Sequence, residues 1–207
     1  MLTNIKYSVT FLMVVFFAIF LVSCNKTEKT YYNSGKLMEK YEINKDSLKD
    51  GSYERYFEGG ALAEILTYYE GKQNGERIIY HESGKTESVC RYVNGLIQGG
   101  RKVFYQSGEL KYESNYEDSK LSGLFVAYYE NGNKKEEVTF ADDFENGPFV
   151  EYHENGKIDW KGQYLNGENE FGLLENYDST GILIKKMMCD SIRNCVTIWK
   201  KEDEPIK

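Results

Sequence analysis

Two series of glycines recur along this chain at intervals of 24 or 25 residues. Each glycine of the second series lies nine residues before a member of the first. Register of this kind over most of a chain indicates a structural repeat in which each unit is one supersecondary element. The first series is Gly35, Gly60, Gly84, Gly108, Gly132, Gly156 and Gly181. The second series is Gly51, Gly75, Gly99, Gly123, Gly147 and Gly172.

The residues around the first series predict a β-hairpin in every repeat. An aromatic residue stands four positions before each glycine, and the pairs that precede the second strand are mostly Ser-Gly or Asn-Gly. These pairs can supply the left-handed backbone angles of a tight reversal. Beyond the glycine, apolar and polar residues alternate, as at Leu62, Leu66 and Tyr68, which is typical of a strand with one buried face. We therefore predict an all-β fold, an elongated, twisted antiparallel meander of about six to seven 24-residue hairpins in one sheet.

The N-terminus has the pattern of a secretory signal that ends in a cysteine. Lys6 precedes an apolar stretch from Val9 to Val22, which is too short for a comfortable membrane span. The residues Leu21-Val22-Ser23-Cys24 resemble the lipobox of bacterial lipoproteins, whose signal is cut just before an acylated cysteine. That resemblance implies cleavage between Ser23 and Cys24 and a lipid anchor on Cys24. The alternatives are an ordinary signal peptide with a chance cysteine and an uncleaved anchor.

These features divide the chain into four predicted parts. Residues 1–23 are a removed signal peptide, residues 24–30 a polar tether, residues 31–189 the hairpin repeats, and residues 190–207 a cap strand with a tail. The predicted location is the bacterial cell envelope, with attachment to a membrane through the lipid on Cys24. The sequence leaves open which membrane and which face.

The composition argues against several classes of function. The chain carries 33 acidic and 26 basic residues, a net charge of −7, and such a surface repels nucleic-acid phosphates. It contains no phosphate-binding loop, no nucleophile elbow and no paired metal-ligand motif. Its two histidines, His81 and His153, are separated by 72 residues. We expect no enzyme activity, no cofactor, no metal site and no nucleic-acid partner.

The cysteines beyond Cys24 have structural interpretations. Cys90 occupies a repeat position that Leu66 and Val138 fill elsewhere, so we expect a small buried apolar residue. Cys189 and Cys195 flank a five-residue segment and could close a small loop through a disulfide outside the cytoplasm. Sequence cannot test the geometry of that bond, and both the oxidised and the reduced pair stay open.

One row of residues is the strongest candidate for binding. Its members lie three residues before the first-series glycines, and we call them the turn row: Phe57, His81, Tyr105, Tyr129 and His153. One such residue in each hairpin could form a ladder along the sheet. Packing between neighbouring strands is the favoured interpretation. The alternative is an exposed ladder that stacks on a sugar chain or docks a peptide.

The repeat unit G-x-x-x-x-[YF]-x-x-[SN]-G resembles the MORN repeat variant, in the version found in the YwqK-like antitoxin family. The likeness covers nearly all of the chain after Cys24. It implies an elongated β-meander and a role in protein binding, membrane association or neutralisation of a toxin. It transfers no catalytic residue to this sequence.

Three functional hypotheses follow from these features. The first is a non-enzymatic scaffold lipoprotein that engages an envelope protein. The second is an antitoxin or immunity protein that neutralises a partner toxin. The third is glycan or peptidoglycan binding through an exposed turn row.

Overall fold

The structure, a computed structural model, describes residues 25–167 and 169–203. These residues form one antiparallel sheet of eighteen strands and a final 3₁₀ turn at Lys201–Asp203, which confirms the predicted all-β meander. Among the residues described, no helix is long and apolar enough to span a membrane. The predicted signal peptide and the predicted lipid site at Ser23 and Cys24 lie outside the described residues.

The strands follow one another in chain order, and each pairs with its neighbours. They are β1 Lys26–Tyr31, β2 Leu37–Ile43, β3 Lys49–Tyr56, β4 Leu62–Tyr69, β5 Lys72–Gln73, β6 Gly75–Tyr80, β7 Thr86–Val93, β8 Leu96–Ile97, β9 Gly99–Phe104, β10 Leu110–Glu117, β11 Lys120–Leu121, β12 Gly123–Tyr128, β13 Lys134–Ala141, β14 Phe144–Tyr152, β15 Ile158–Tyr164, β16 Glu170–Tyr177, β17 Leu183–Cys189 and β18 Cys195–Lys200. The short strands β5, β8 and β11 continue, after a bulge, as β6, β9 and β12.

The first-series glycines lie at one edge of the sheet, which we call the wide-turn edge. In the hairpin of β6 and β7, the His81 carbonyl accepts from the Gly84 N–H at 2.8 Å, and the His81 N–H donates to the Lys85 carbonyl at 2.9 Å. Gly84 is left-handed (φ 83°), whereas Ser83 before it is not. This is a type I turn followed by a glycine bulge. The Ser-Gly pair was expected to supply the left-handed angles of the turn, and in the structure the glycine alone supplies one.

The opposite edge, the tight-turn edge, carries two-residue turns between β4 and β14, and longer turns at residues 44–48, 165–169 and 190–194. Both central residues of the two-residue turns are left-handed, as in Asn94-Gly95 (φ 52° and 88°) and Asp142-Asp143 (φ 51° and 71°). That geometry is the type I′ turn, whose twist matches the twist of the flanking strands. The second-series glycines follow the turns of this edge with positive φ, for example 106° at Gly75. They mark a bulge that lies at the start of β6, β9 and β12 and inside β3, β14 and β16.

Residues from successive strands form a continuous row on one face of the sheet. We call this the inner face and the row the inner row. Its members face one another in register, one in each long strand from β3 to β17: Tyr53, Leu66, Arg77, Cys90, Arg101, Ser114, Phe125, Val138, Phe149, Gly162, Leu174 and Met187. Val138, Phe149 and Leu174, together with Cys189, form the core cluster and are at most 2% exposed. The inner row is therefore where the repeats bury side chains against one another.

The ends of the array differ from the sequence prediction. Residues 26–30 were expected in a polar tether, but Lys26–Tyr31 is strand β1 and pairs with β2 from Lys26 opposite Ile43. Charged side chains are common on an edge strand because they discourage pairing with another chain, so polarity did not exclude a strand here. At the other end, β18 is the predicted cap strand. Residues 201–203 form a 3₁₀ turn where a frayed tail was expected.

Candidate binding surface

The turn row joins neighbouring repeats at the wide-turn edge. The Tyr105 hydroxyl donates to the backbone carbonyl of Tyr128 at 2.8 Å, and the Tyr129 hydroxyl donates to that of Tyr152 at 2.7 Å. His153 Nε2 lies 2.9 Å from the carbonyl of Tyr177, a contact that requires the proton on Nε2. His81 makes the same type of contact at 3.4 Å. These side chains connect each hairpin to the next one in the chain.

Each turn-row residue also has a chemically matched neighbour six positions later. The Lys111 ammonium lies 5.5 Å from the ring centre of Tyr105. His153 Nε2 lies 3.6 Å from a carboxylate oxygen of Asp159. At the start of the strand after each turn, a register shift leaves one residue with no residue opposite it. That residue is the matched neighbour, and its side chain can reach back to the turn.

The other members of the turn row follow the same rule. Lys135 faces the Tyr129 ring at 6.0 Å, and Glu87 lies 3.7 Å from His81. Phe57, which has no polar tip, is followed at this distance by the fully buried Ala63. The correspondence between each turn-row residue and the residue six positions later is visible in the sequence, but it was not among the sequence predictions. This geometry favours the packing interpretation of the turn row over the exposed ladder, because the polar tips are bonded and the rings are half-buried.

The N-terminal half of the inner row, from Tyr53 to Ser114, contains ionic and polar groups. The Glu64 carboxylate, whose side chain is 8% exposed, accepts from Arg55 Nε at 2.9 Å and from Arg77 Nε at 2.6 Å. Arg77 Nη1 also donates to the Tyr92 hydroxyl at 3.3 Å. Lys49 lies over the Tyr53 ring at 4.4 Å. This half is a cationic surface lined with tyrosines, and Glu64 compensates two of its arginines.

Cys90 lies in this half between Arg77 and Arg101 and is buried, as the sequence predicted. Burial raises the pKa of its thiol, and the two guanidinium groups only partly oppose that rise. The thiol therefore stays protonated at neutral pH, and its environment is that of a small packed side chain.

The C-terminal half of the inner row, from Phe125 to Met187, is entirely apolar. The rings of Phe149 and Tyr164 stack with centroids 4.4 Å apart, and Phe125 meets Phe140 edge to face at 5.9 Å. Gly162 lies opposite Phe149, and the absence of a side chain there leaves room for the Phe149 ring. This half is a packed core.

Two carboxylates border that core on the inner face. Glu136 and Glu151 are cross-strand partners in β13 and β14. Burial raises the pKa of both carboxyl groups, and repulsion from Glu136 raises that of Glu151 further. They form a locally unfavourable pair at neutral pH.

The recurring aromatics four residues before the first-series glycines lie on the opposite, outer face. The Tyr128 hydroxyl donates to Glu113 at 2.8 Å, and burial together with this bond raises the pKa of Tyr128 to about 12. Tyr56 makes the same type of bond to Glu54, and that bond, with help from Lys40, lowers the pKa of Glu54. The outer face is thus stabilised by tyrosine–carboxylate–lysine clusters, which solvent partly screens.

The C-terminal cysteine pair forms a disulfide in the structure. Cys189 and Cys195 are cross-strand partners in β17 and β18, and their sulfurs are 1.98 Å apart. Glu170 lies beside them, with an oxygen 3.8 Å from Cys195 Sγ. Among the residues described, these three form the one group with the spacing of a metal site, but bonded sulfurs offer no thiolate to a metal ion.

A comparison with known families agrees with this repeat geometry. The MORN repeat variant matches in five segments that together exceed half of the chain: 25–45, 73–94, 98–118, 121–142 and 145–166. The chain belongs to the MORN repeat variant family. Repeats of this kind are generally modules that bind proteins or membranes. No curated protein sequence matches the chain.

Proposed function

We propose that this protein is a non-enzymatic binding lipoprotein of the bacterial envelope that engages another protein with the N-terminal half of its inner face. The observation that carries the proposal is the contrast within the inner row. The C-terminal half is filled with apolar side chains, whereas Arg77 and Arg101 replace them at equivalent positions in the N-terminal half. Charged groups add little to the stability of a core but give specificity in recognition.

Membrane attachment through Cys24 is the second element of the proposal. It rests on the lipobox-like residues 21–24, and the fold adds a geometric consequence. Strand β1 begins at Lys26, so a single residue would separate the lipidated cysteine from the sheet. The first hairpin would then lie at the membrane surface, with no flexible spacer between them.

Capture of a partner tests the proposal. The full-length lipidated protein, cross-linked gently in its native cells and then purified, should bring with it one envelope protein in stoichiometric amount. A Cys24→Ala variant is the matched control, because it keeps the sheet and removes the proposed anchor. Recovery of no stoichiometric protein with the wild type would contradict the binding role. Equal membrane retention of both forms would contradict the anchor.

An antitoxin or immunity role is the second candidate, and the similarity of the repeat unit to the YwqK-like family supports it. Co-expression distinguishes it from a scaffold: the protein should restore growth to cells that produce a toxin encoded beside it, whereas a scaffold should not. Glycan binding through the turn row receives less support. The hydroxyls of Tyr105 and Tyr129, which a sugar would need, already bond to backbone carbonyls.

A further inference from the structure

Arg101 has a different environment from the other arginines of the inner face. Arg55 and Arg77 share the buried Glu64 carboxylate. Within residues 25–167 and 169–203, Arg101 forms no ion pair, and its guanidinium carbon lies 6.0 Å from the centre of the Tyr112 ring. The reason is visible in the repeat, because Ser88 stands one repeat after Glu64, at the position from which a carboxylate would reach Arg101.

A second polar group without a partner lies beside Arg101. Ser114 is its direct cross-strand neighbour in β10 and is 5% exposed. The Ser114 hydroxyl is the one buried side-chain oxygen or nitrogen among the described residues that has no hydrogen-bond partner. Buried polar groups are nearly always bonded, and an exception calls for an explanation, of which a functional role is one. The Arg101 guanidinium and the Ser114 hydroxyl therefore lie directly opposite each other, and the described part of the chain offers neither a counter-ion to the first nor an acceptor to the second.

We propose that Arg101 and Ser114 form the recognition site for a carboxylate side chain of a partner protein, presented in an acidic segment that lies along the inner face. This inference rests on the protein-binding function proposed above and names the chemistry of its partner. The molecule contains a template for the contact, since Glu64 makes it with Arg77 one repeat earlier. A guanidinium presents several donors in a plane, and an ionised acceptor makes the strongest hydrogen bonds with it.

The charge balance favours a carboxylate over a phosphate. One guanidinium is uncompensated here, and a carboxylate brings one negative charge, whereas a phosphate monoester brings about 1.5 to 2. The protein as a whole has a net charge of −7, so a more highly charged anion would meet greater long-range repulsion.

Binding of a fluorescein-labelled hexaglutamate peptide, followed by fluorescence anisotropy at low ionic strength, tests the site. We expect Arg101→Met to weaken binding about tenfold or more, which is the usual loss for one hydrogen-bonded charge pair. Ser114→Ala should weaken binding by a smaller factor. Arg91→Met is the matched control because it removes the same charge from an exposed position on the outer face of β7. It should bind the peptide within about twofold of the wild type, as expected for a charge outside the interface.

Several results would overturn the proposal. One is an equal loss in Arg101→Met and Arg91→Met, which would reduce the effect to net charge. Another is binding of inorganic phosphate at Arg101 by a wild-type protein that does not bind hexaglutamate, which would exclude a carboxylate ligand. The captured partner separates this inference from the proposed function. If wild type and Arg101→Met recover the same envelope protein in equal amount, the carboxylate site is wrong and the binding role stands.

Discussion

The two halves of the inner row have the same backbone arrangement and different side-chain chemistry. In the C-terminal half, Val138, Phe149 and Leu174 are almost fully buried and hold neighbouring hairpins together. In the N-terminal half, the first strands of the equivalent hairpins, β6 and β9, carry Arg77 and Arg101, and Glu64 compensates the first of them. Since the antiparallel pairing of successive strands continues through both halves, the hairpin repeat does not require an apolar inner row. One half of the row is therefore available for recognition while the other stabilises the array.

The largest expected effect is in the apolar half. Phe149→Ala should lower the free energy of unfolding by about 3–5 kcal/mol, because it removes a ring that is 2% exposed and leaves a cavity against Tyr164 and Leu174. Urea denaturation followed by circular dichroism measures this loss. Leu124→Ala, at a side chain on the outer face that is 55% exposed, should cost less than about 1 kcal/mol. Similar losses in the two variants would mean that the inner face is not the core.

The next effect concerns the ionic half. Glu64→Gln should lower the free energy of unfolding by about 2–3 kcal/mol, since two partly buried guanidinium groups lose their counter-ion. Adding Arg77→Met to Glu64→Gln should recover part of the loss, because one uncompensated charge is then removed. A double mutant no more stable than Glu64→Gln alone would show that the ion pairs do not organise this half.

The smallest effect concerns the carboxylates beside the apolar core. Glu151→Gln should raise the free energy of unfolding at pH 7 by about 0.5–1 kcal/mol, because it removes a carboxylate whose ionisation burial and Glu136 disfavour. The pKa of Glu151 is higher in the folded protein than its ordinary value of 4.5, so the folded state binds more protons. The gap between variant and wild type should therefore widen as pH rises from about 4.5 to 7. A constant gap over this range would contradict the raised pKa.

The sequence predicted the parts of the fold that every repeat encodes. Glycine spacing and strand alternation are local signals, and they correctly gave the antiparallel meander. The position of Cys90 among Leu66 and Val138 correctly gave its burial. These predictions needed only the comparison of one repeat with the next.

Other features depend on contacts that no single repeat contains. The pairing of Lys26–Tyr31 with β2 depends on backbone hydrogen bonds that polar side chains do not reveal. The turn-row contacts join a side chain to a carbonyl about one repeat later, as from Tyr129 to Tyr152. Asp142 and Asp143 both adopt left-handed angles without a glycine, so the tight turn there was not recognisable from composition.

The candidate site was harder to predict than the fold. The sequence singled out the turn row because it is periodic and aromatic, yet periodic residues build the repeat. Arg77 and Arg101 were visible as departures from the apolar pattern. The sequence did not show that the two arginines differ in their counter-ions. In the structure Glu64 pairs with Arg77, whereas Arg101 lies opposite Ser114. A departure from the repeat was the better guide to the proposed binding site.

The free energy of unfolding of Arg101→Met, compared with that of the wild type in urea at pH 7, tests the central claim most directly. If Arg101 serves recognition and not packing, removal of its uncompensated charge should leave the free energy of unfolding unchanged or raise it by up to about 1 kcal/mol. A loss of more than about 1 kcal/mol, in the range of core substitutions, would contradict the division of the inner row into a packed half and a binding half.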